Sequence, residues 1–270
     1  MRALQQLVDR LAAEAACLVQ VQSTQGSVPR EQGAWMAVFA SGQIGTIGGG
    51  HLEWLAAERA RTMLASGGAP EQGRYPLGPA LGQCCGGVVN LGFRCINAGD
   101  AAALQSALAQ PLAPVALFGA GHVGAALAQV LATLPVQLSW IDSRDAVFPA
   151  QLPSQVTAEH SEPIAAAVPA LVPGSSVLIL THNHQQDFDI TLACLQRLRA
   201  SNDLGLVGLI GSATKRATFA HRLEDRGFGP EEFARITCPI GVLGITGKEP
   251  EVIAIAVAAQ LLQYLSGQKQ

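Results

Sequence analysis

The sequence segment Phe118-Gly119-Ala120-Gly121-His122-Val123-Gly124 carries glycines at G-x-G-x-x-G spacing. It follows an apolar run and opens a helical pattern, the context in which this spacing binds phosphate. Gly119 permits a tight turn, Gly121 lets a pyrophosphate approach the backbone, and Gly124 lets helix meet sheet. The helix start supplies unpaired N–H groups for an anion. Asp142 follows about 20 residues on, where a ribose-binding acid belongs. The same residues also suit a bare Rossmann architecture without a dinucleotide. His122 suits a phosphate contact or a solvent-facing turn equally.

Further candidates follow later strand patterns. Thr181-His182-Asn183-His184 and Asp187 form one group. His182 and His184 share a face if the segment is extended, and with Asp187 they could hold a metal. Capping of a helix end is the plainer reading. Lys215 and Arg216 near a helix start oppose its dipole, so a nearby anion would account for them; a solvated face would too. In the first half, Gly48, Gly49 and Gly50 could form a concave nest of N–H groups for an anion. His51 could line it, and Glu53 suits either the site or a helix cap. Cys84 and Cys85 sit between glycines in Gly82-Gln83-Cys84-Cys85-Gly86-Gly87. Loop thiols of this kind act as soft-metal ligands or nucleophiles; two small buried residues in a turn is the alternative.

Composition bounds the answer. The chain has 270 residues, 49% hydrophobic, with 17 Lys plus Arg against 20 Asp plus Glu. Charged residues make up 14%, against about 25% in an average domain. A net charge of -3 gives no global pull toward nucleic acid or anionic lipid. Val115 to Val136 is interrupted by the glycine turn, His122 and Gln129, and Val252 to Leu262 is too short to span a bilayer. Asp9, Arg10 and Glu14 argue against a secretory signal. The expected location is cytoplasmic, with no membrane partner. Six cysteines lack C-x-x-C spacing, and a chain this size needs no disulfide framework.

The elements that must position these residues fall into two styles. Residues 1–15 read as an amphipathic helix with Leu4, Leu7, Val8 and Leu11 on one face. Cys17 to Ser23 reads as a strand. Trp35–Phe39 and Gln43–Ile47 read as a hairpin turning at Ser41-Gly42. His51 to Ala65 is helical, and Val88 to Ile96 is a strand. A boundary falls in Ala98 to Pro114. Beyond it strands at 115–118, 136–141, 177–180 and 206–210 alternate with helices at 123–134, 162–170, 188–199, 213–226 and 250–265. Such alternation argues a parallel sheet with helices on both faces. The fold class is α/β: a small N-terminal α+β domain, residues 1–100, followed by a Rossmann-like parallel-sheet domain, residues 112–270.

The stretches GTIGGGHLE, GQCCGG, GAGHVG, THNHQQD, IGSATKRATF, CPIG and GKEPEVIA, in that order, resemble the xanthine dehydrogenase accessory protein family, XdhC, related to the CoxI group. The resemblance runs from about Gln20 to Leu262. It implies a non-enzymatic maturation factor that binds the molybdenum cofactor in its pterin-monophosphate (molybdopterin) form. Such a protein shelters the cofactor while a cysteine desulfurase sulfurates it. It then inserts the cofactor into the large subunit of apo-xanthine dehydrogenase, a step serving purine catabolism. The cofactor-binding set expected on these motifs is Gly48 to His51, Glu53, Cys84, Cys85, Gly119, Gly121, His122, Gly124, Asp142, His182, His184 and Lys215. Cys85, then Cys84, is expected to face molybdenum. A nucleotide at the Rossmann turn and a homodimer stay open. The competing reading is an NAD(P)-dependent oxidoreductase with His182 or His184 as proton donor; a Cys85 nucleophile with His51 or His184 as base is a third.

Overall fold

The computed structural model describes residues 2–78, 86–109 and 111–268. The chain divides into two compact units, Met1–Gln110 and Pro111–Gln270.

The first unit is built on a five-stranded antiparallel sheet. Its elements in order are α1 (Arg2–Leu11), β1 (Ala16–Gln25), β2 (Trp35–Phe39), β3 (Gly42–Gly45), α2 (Gly50–Ser66), β4 (Glu71–Pro76), β5 (Val88–Ile96) and α3 (Ala101–Leu108). The strands run in the order β3-β2-β1-β5-β4. Alternate residues of a strand point to opposite faces, and β1 shows both destinations. Cys17, Val19 and Val21 pack in one cluster with Leu52, Ala56 and Met63 of α2. Ala16 and Leu18 pack in the other with Leu7 and Leu11 of α1 and Leu104 of α3. A sheet covered on both faces thus holds the start of α2 in place.

Two elements here lie outside the sequence-based expectation. β4 reads Glu71-Gln72-Gly73-Arg74-Tyr75-Pro76, a polar edge strand paired only with β5, so no apolar alternation marks it. α3 lies inside the segment read as a boundary. Its signal is the preceding Asn97-Ala98-Gly99-Asp100. The Asn97 side chain accepts from the Gly99 N–H at 2.8 Å, and Asp100 Oδ2 accepts from the Asn97 N–H at 2.9 Å.

The second unit contains β6 (Ala113–Phe118), α4 (His122–Leu131), β7 (Val136–Asp142), β8 (Val156–His160), β9 (Ser176–Ile179), α5 (His184–Ala200), β10 (Val207–Leu209), α6 (Ala213–Glu224), α7 (Pro230–Phe233), β11 (Ile236–Thr237) and α8 (Pro250–Gly267). All neighbouring strands are parallel, in the order β11-β10-β9-β6-β7-β8. Strand order reverses between β6 and β9, the switch point at which open α/β sheets bind ligands. Ala116 and Phe118 of β6 pack with α5 and α6. Val115 and Leu117 pack on the opposite face with α4 and α8. The helices therefore cover both faces, as the alternation predicts.

The expected helix at 162–170 is instead a 3₁₀ segment, Ile164–Ala170, with Pro169 inside it. Proline lacks the N–H that an α-helix needs and clashes with the preceding turn. The edge strand β8 was not expected; only Val156 of its five residues is buried. Among the described residues no helix is long and apolar enough to cross a membrane.

Candidate functional site

Because the strands of the second unit are parallel, α4, α5 and α6 all start at the same edge of the sheet. Each brings the positive end of its dipole there. Two are closed by their own side chains. Asn183 Oδ1 accepts from the Gln185 and Gln186 N–H groups at α5, and Ser212 Oγ accepts from the Lys215 N–H at α6. α4 has no side-chain cap.

The turn leading into α4 is shaped by close backbone approach. Gly119 has φ 114°, and a Cβ there would lie 2.3 Å from the Leu180 carbonyl oxygen. A Cβ on Gly124 would lie 2.0 Å from the Gly119 carbonyl oxygen. Trp140 Nε1 donates to that same oxygen at 3.0 Å. Gly121, the N-cap of α4, faces open space. Gly119 and Gly124 thus have the steric roles expected from the motif, while the backbone at Gly121 is left uncovered. His122 is exposed at the first position of α4.

Asp142 is 2% exposed. Its Oδ2 accepts from the Ala120 N–H at 2.6 Å, and both its oxygens accept from the Arg144 guanidinium at 2.9 Å. Burial would raise its pKa, but the bonds from Arg144 and Ala120 outweigh this and hold it below the usual aspartate value. The expectation that this carboxylate is free for a ribose is corrected: it ties the turn to β7 and orients Arg144.

At the ends of β9 and β10 a second carboxylate accepts from three donors. Asp187 is 1% exposed. Its Oδ1 accepts from the Thr181 N–H at 3.0 Å and hydroxyl at 2.7 Å, while Oδ2 accepts from the Lys215 ammonium. Lys215 also donates to the Ile210 carbonyl at 2.8 Å. These groups line an open pocket of about 250 Å³ together with His182, His184 and Ser212. Both imidazoles are exposed. Among the described residues no group of three His, Cys, Asp or Glu side chains is placed to hold a metal. The metal reading of His182, His184 and Asp187 is not supported: Asp187 is held by Thr181 and already carries the Lys215 cation on Oδ2.

The glycine nest of the first unit also differs from expectation. Gly48, Gly49 and Gly50 have φ of 125°, 73° and 66°. The concavity is filled from within. Glu53 Oε2 accepts from the Ile47 and Gly49 N–H groups, both at 3.0 Å, and from the Thr46 hydroxyl; Gln43 bonds Oε1 at 2.7 Å. Glu53 is thus the cap, and the turn is not an open anion site. Burial pushes the Glu53 pKa up, but the bonds from Thr46, Gly49, Ile47 and Gln43 prevail and lower it. A group with a lowered folded pKa stabilises the fold above its unfolded pKa, and the benefit fades as pH falls through the folded value. We expect Glu53→Gln to cost about 0.5–2 kcal/mol at pH 7. The gap should narrow toward pH 3 in urea titrations.

His51 is exposed and stacks on Trp54, with ring centroids 5.4 Å apart and 18° between planes. Trp54 is 57% exposed, and the sequence reading did not single it out; an i, i+3 aromatic pair at a helix start is its signal. Cys84 and Cys85 lie outside the described residues. Burial pushes the Cys17 and Cys194 thiols up to about 12, as inert core thiols should be.

Comparison with known proteins agrees with this architecture. Residues 115–261 match the XdhC Rossmann domain, and residues 10–76 match the XdhC and CoxI family. The uncharacterized protein YqeB of Escherichia coli (strain K12) is 31% identical over 258 residues, which is 91% of this chain and 43% of YqeB. The chain thus spans less than half the length of that relative. A crystal structure described as a xanthine dehydrogenase from Bacillus halodurans superposes with a TM-score of 0.81 at 19% identity, covering 100% of this chain and 97% of the other; at that identity it speaks for the fold. With the Rossmann-domain match running over more than half its length, the chain belongs to the XdhC family.

Proposed function

We propose that this chain is a maturation factor for xanthine dehydrogenase, and that its cargo is the molybdenum cofactor in its pterin-monophosphate form. The observation that carries the reading is the uncapped start of α4 behind the open face of Gly121. A phosphate monoester fits there, because N–H groups and the helix dipole both favour an anion. The neighbouring pocket offers donors to a polar ring system. His182 and His184 stand at its rim, and Asp187 fixes the Lys215 ammonium in its wall. Because Glu53 fills the turn at Gly48 to Gly50, the start of α4 is the better phosphate site of the two.

In this reading Cys85, with Cys84, shields the molybdenum while a cysteine desulfurase supplies sulfide. The large subunit of xanthine dehydrogenase then receives the product. A carrier must also release what it holds, and an open pocket suits that better than a closed one. No residue of the chain is assigned a catalytic step.

Purified without oxygen from cells making the cofactor, the protein should contain molybdenum and pterin in equal amounts. Cys84→Ala/Cys85→Ala should keep pterin and lose most of the molybdenum once exposed to air. Full, air-stable molybdenum in the double variant contradicts the shielding role. Absence of pterin from the unmodified protein contradicts the cargo.

A further inference from the structure

β1 and β5 are neighbours in the sheet of the first unit, and their register sets Cys17 directly opposite Cys95. Opposed residues of an antiparallel pair share a face of the sheet. Both cysteines accordingly pack in the cluster under α2, Cys17 fully buried and Cys95 partly. The Cα atoms of such a pair lie about 4.5–5.5 Å apart, within the about 4.4–6.8 Å that a disulfide spans. The pairing is regular from Ala16 opposite Ile96 to Val21 opposite Leu91, and shifts only beyond Val21. The backbone thus already stands at the spacing that a bond between the two sulfurs requires.

Neither thiol is tied firmly elsewhere. Cys95 Sγ donates to the Met63 carbonyl at 3.9 Å and Cys17 Sγ to the Leu18 carbonyl at 4.0 Å, long contacts of a weak donor. Burial, and next the neighbouring Cys95, push the Cys17 thiol up, which keeps it from reagents in solution. Cys95 is the sulfur a small oxidant reaches, and Cys17 is reached only from within the cluster.

We propose that Cys17 and Cys95 are a redox pair that a peroxide converts to a cross-strand disulfide. The Cys95 thiolate attacks one peroxide oxygen and the O–O bond breaks. Cys95 becomes a sulfenic acid, and the proton it gave up makes water of the departing hydroxide. The Cys17 sulfur then attacks the Cys95 sulfur. The S–S bond forms, the S–O bond breaks, and hydroxide leaves with the Cys17 proton as a second water. Two thiols are oxidised and one peroxide is reduced; a thiol reductant reverses the bond. The closed loop takes in β2, β3, α2 and β4, so oxidation restricts the unfolded chain and latches β1 to β5. The inference is independent of the cargo reading, since it is measured without any pterin.

Peptide mapping of the folded full chain tests it, after a small excess of hydrogen peroxide and blocking of free thiols with N-ethylmaleimide. Trypsin cleaves after Arg10, Arg30, Arg74, Arg94 and Arg144. Cys17 then lies in residues 11–30, Cys95 in 95–144, and Cys84 with Cys85 in 75–94. The expected product is 11–30 linked to 95–144, two hydrogens lighter than the separate peptides and lost on adding dithiothreitol. The oxidised chain should also unfold at higher urea than the reduced one. Cys17→Val should abolish that rise and leave Cys95 as a sulfenic acid that dimedone labels. Linkage of either peptide to 75–94 instead, sulfinic acid at an unlinked Cys95, or a Cys95 that stays reduced each overturns the proposal. The map of the unmodified protein stands whether or not the variant folds.

Discussion

Asp187→Ala should destabilise the second unit by about 3–5 kcal/mol. The carboxylate is 1% exposed and the Lys215 side chain 9% exposed, so removing one partner strands a buried charge. The loss is compounded at Thr181, whose N–H and hydroxyl both donate to Asp187. Those two bonds hold the end of β9 against the start of α5. Asp187→Asn keeps acceptors for Thr181 and should cost less than Asp187→Ala. Asp187→Leu/Lys215→Met removes both charges and should recover much of the loss, because a buried pair replaced by apolar groups is often near neutral. Urea unfolding followed by Trp140 fluorescence, with Trp35 and Trp54 replaced by Phe, reads this unit. A cost below about 1 kcal/mol for Asp187→Ala would show that the pair is open to water.

Two glycines of the same turn should separate folding from binding. Gly124→Ala places a methyl 2.0 Å from the Gly119 carbonyl oxygen. That atom is backbone, held by Trp140, and it cannot step aside cheaply. We expect a loss of about 3 kcal/mol or more, with ligand binding lost as the turn opens. Gly121→Ala is the complement. Its φ of -76° suits any residue, and nothing lies within 4 Å of the added carbon. Stability should change by no more than about 1 kcal/mol, while the methyl stands where a phosphate must approach. Equal stability of the two variants would contradict the packing described for Gly124.

Much of this architecture could be read from the residues. β5 has the expected bounds, and the parallel alternation from β6 onward follows from apolar runs separated by helical periods. The glycine turn was legible because its three roles are steric and local. Two edge strands were not: β4 and β8 bury little, so no apolar alternation marks them, whereas the edge strand β3 was legible from its hairpin turn. The site was legible by position and less so by use. Spacing places Asp142, Asp187 and Glu53 near their glycines and basic partners. It cannot show that each carboxylate is already filled by Arg144, Lys215 or the chain's own N–H groups. That is a matter of hydrogen-bond count in three dimensions, and it shows three candidate ligand contacts, Asp142, Asp187 and Glu53, acting as supports.

The central claim is that the open face of Gly121 receives the phosphate of a pterin cargo. Anaerobic titration of the cofactor into the apo-protein, followed by its visible absorbance, tests this most directly when unmodified protein and Gly121→Ala are compared. The account predicts saturable binding at one cofactor per chain and at least about tenfold weaker binding to the variant, with unfolding midpoints nearly unchanged. Indistinguishable binding by the two proteins would contradict it.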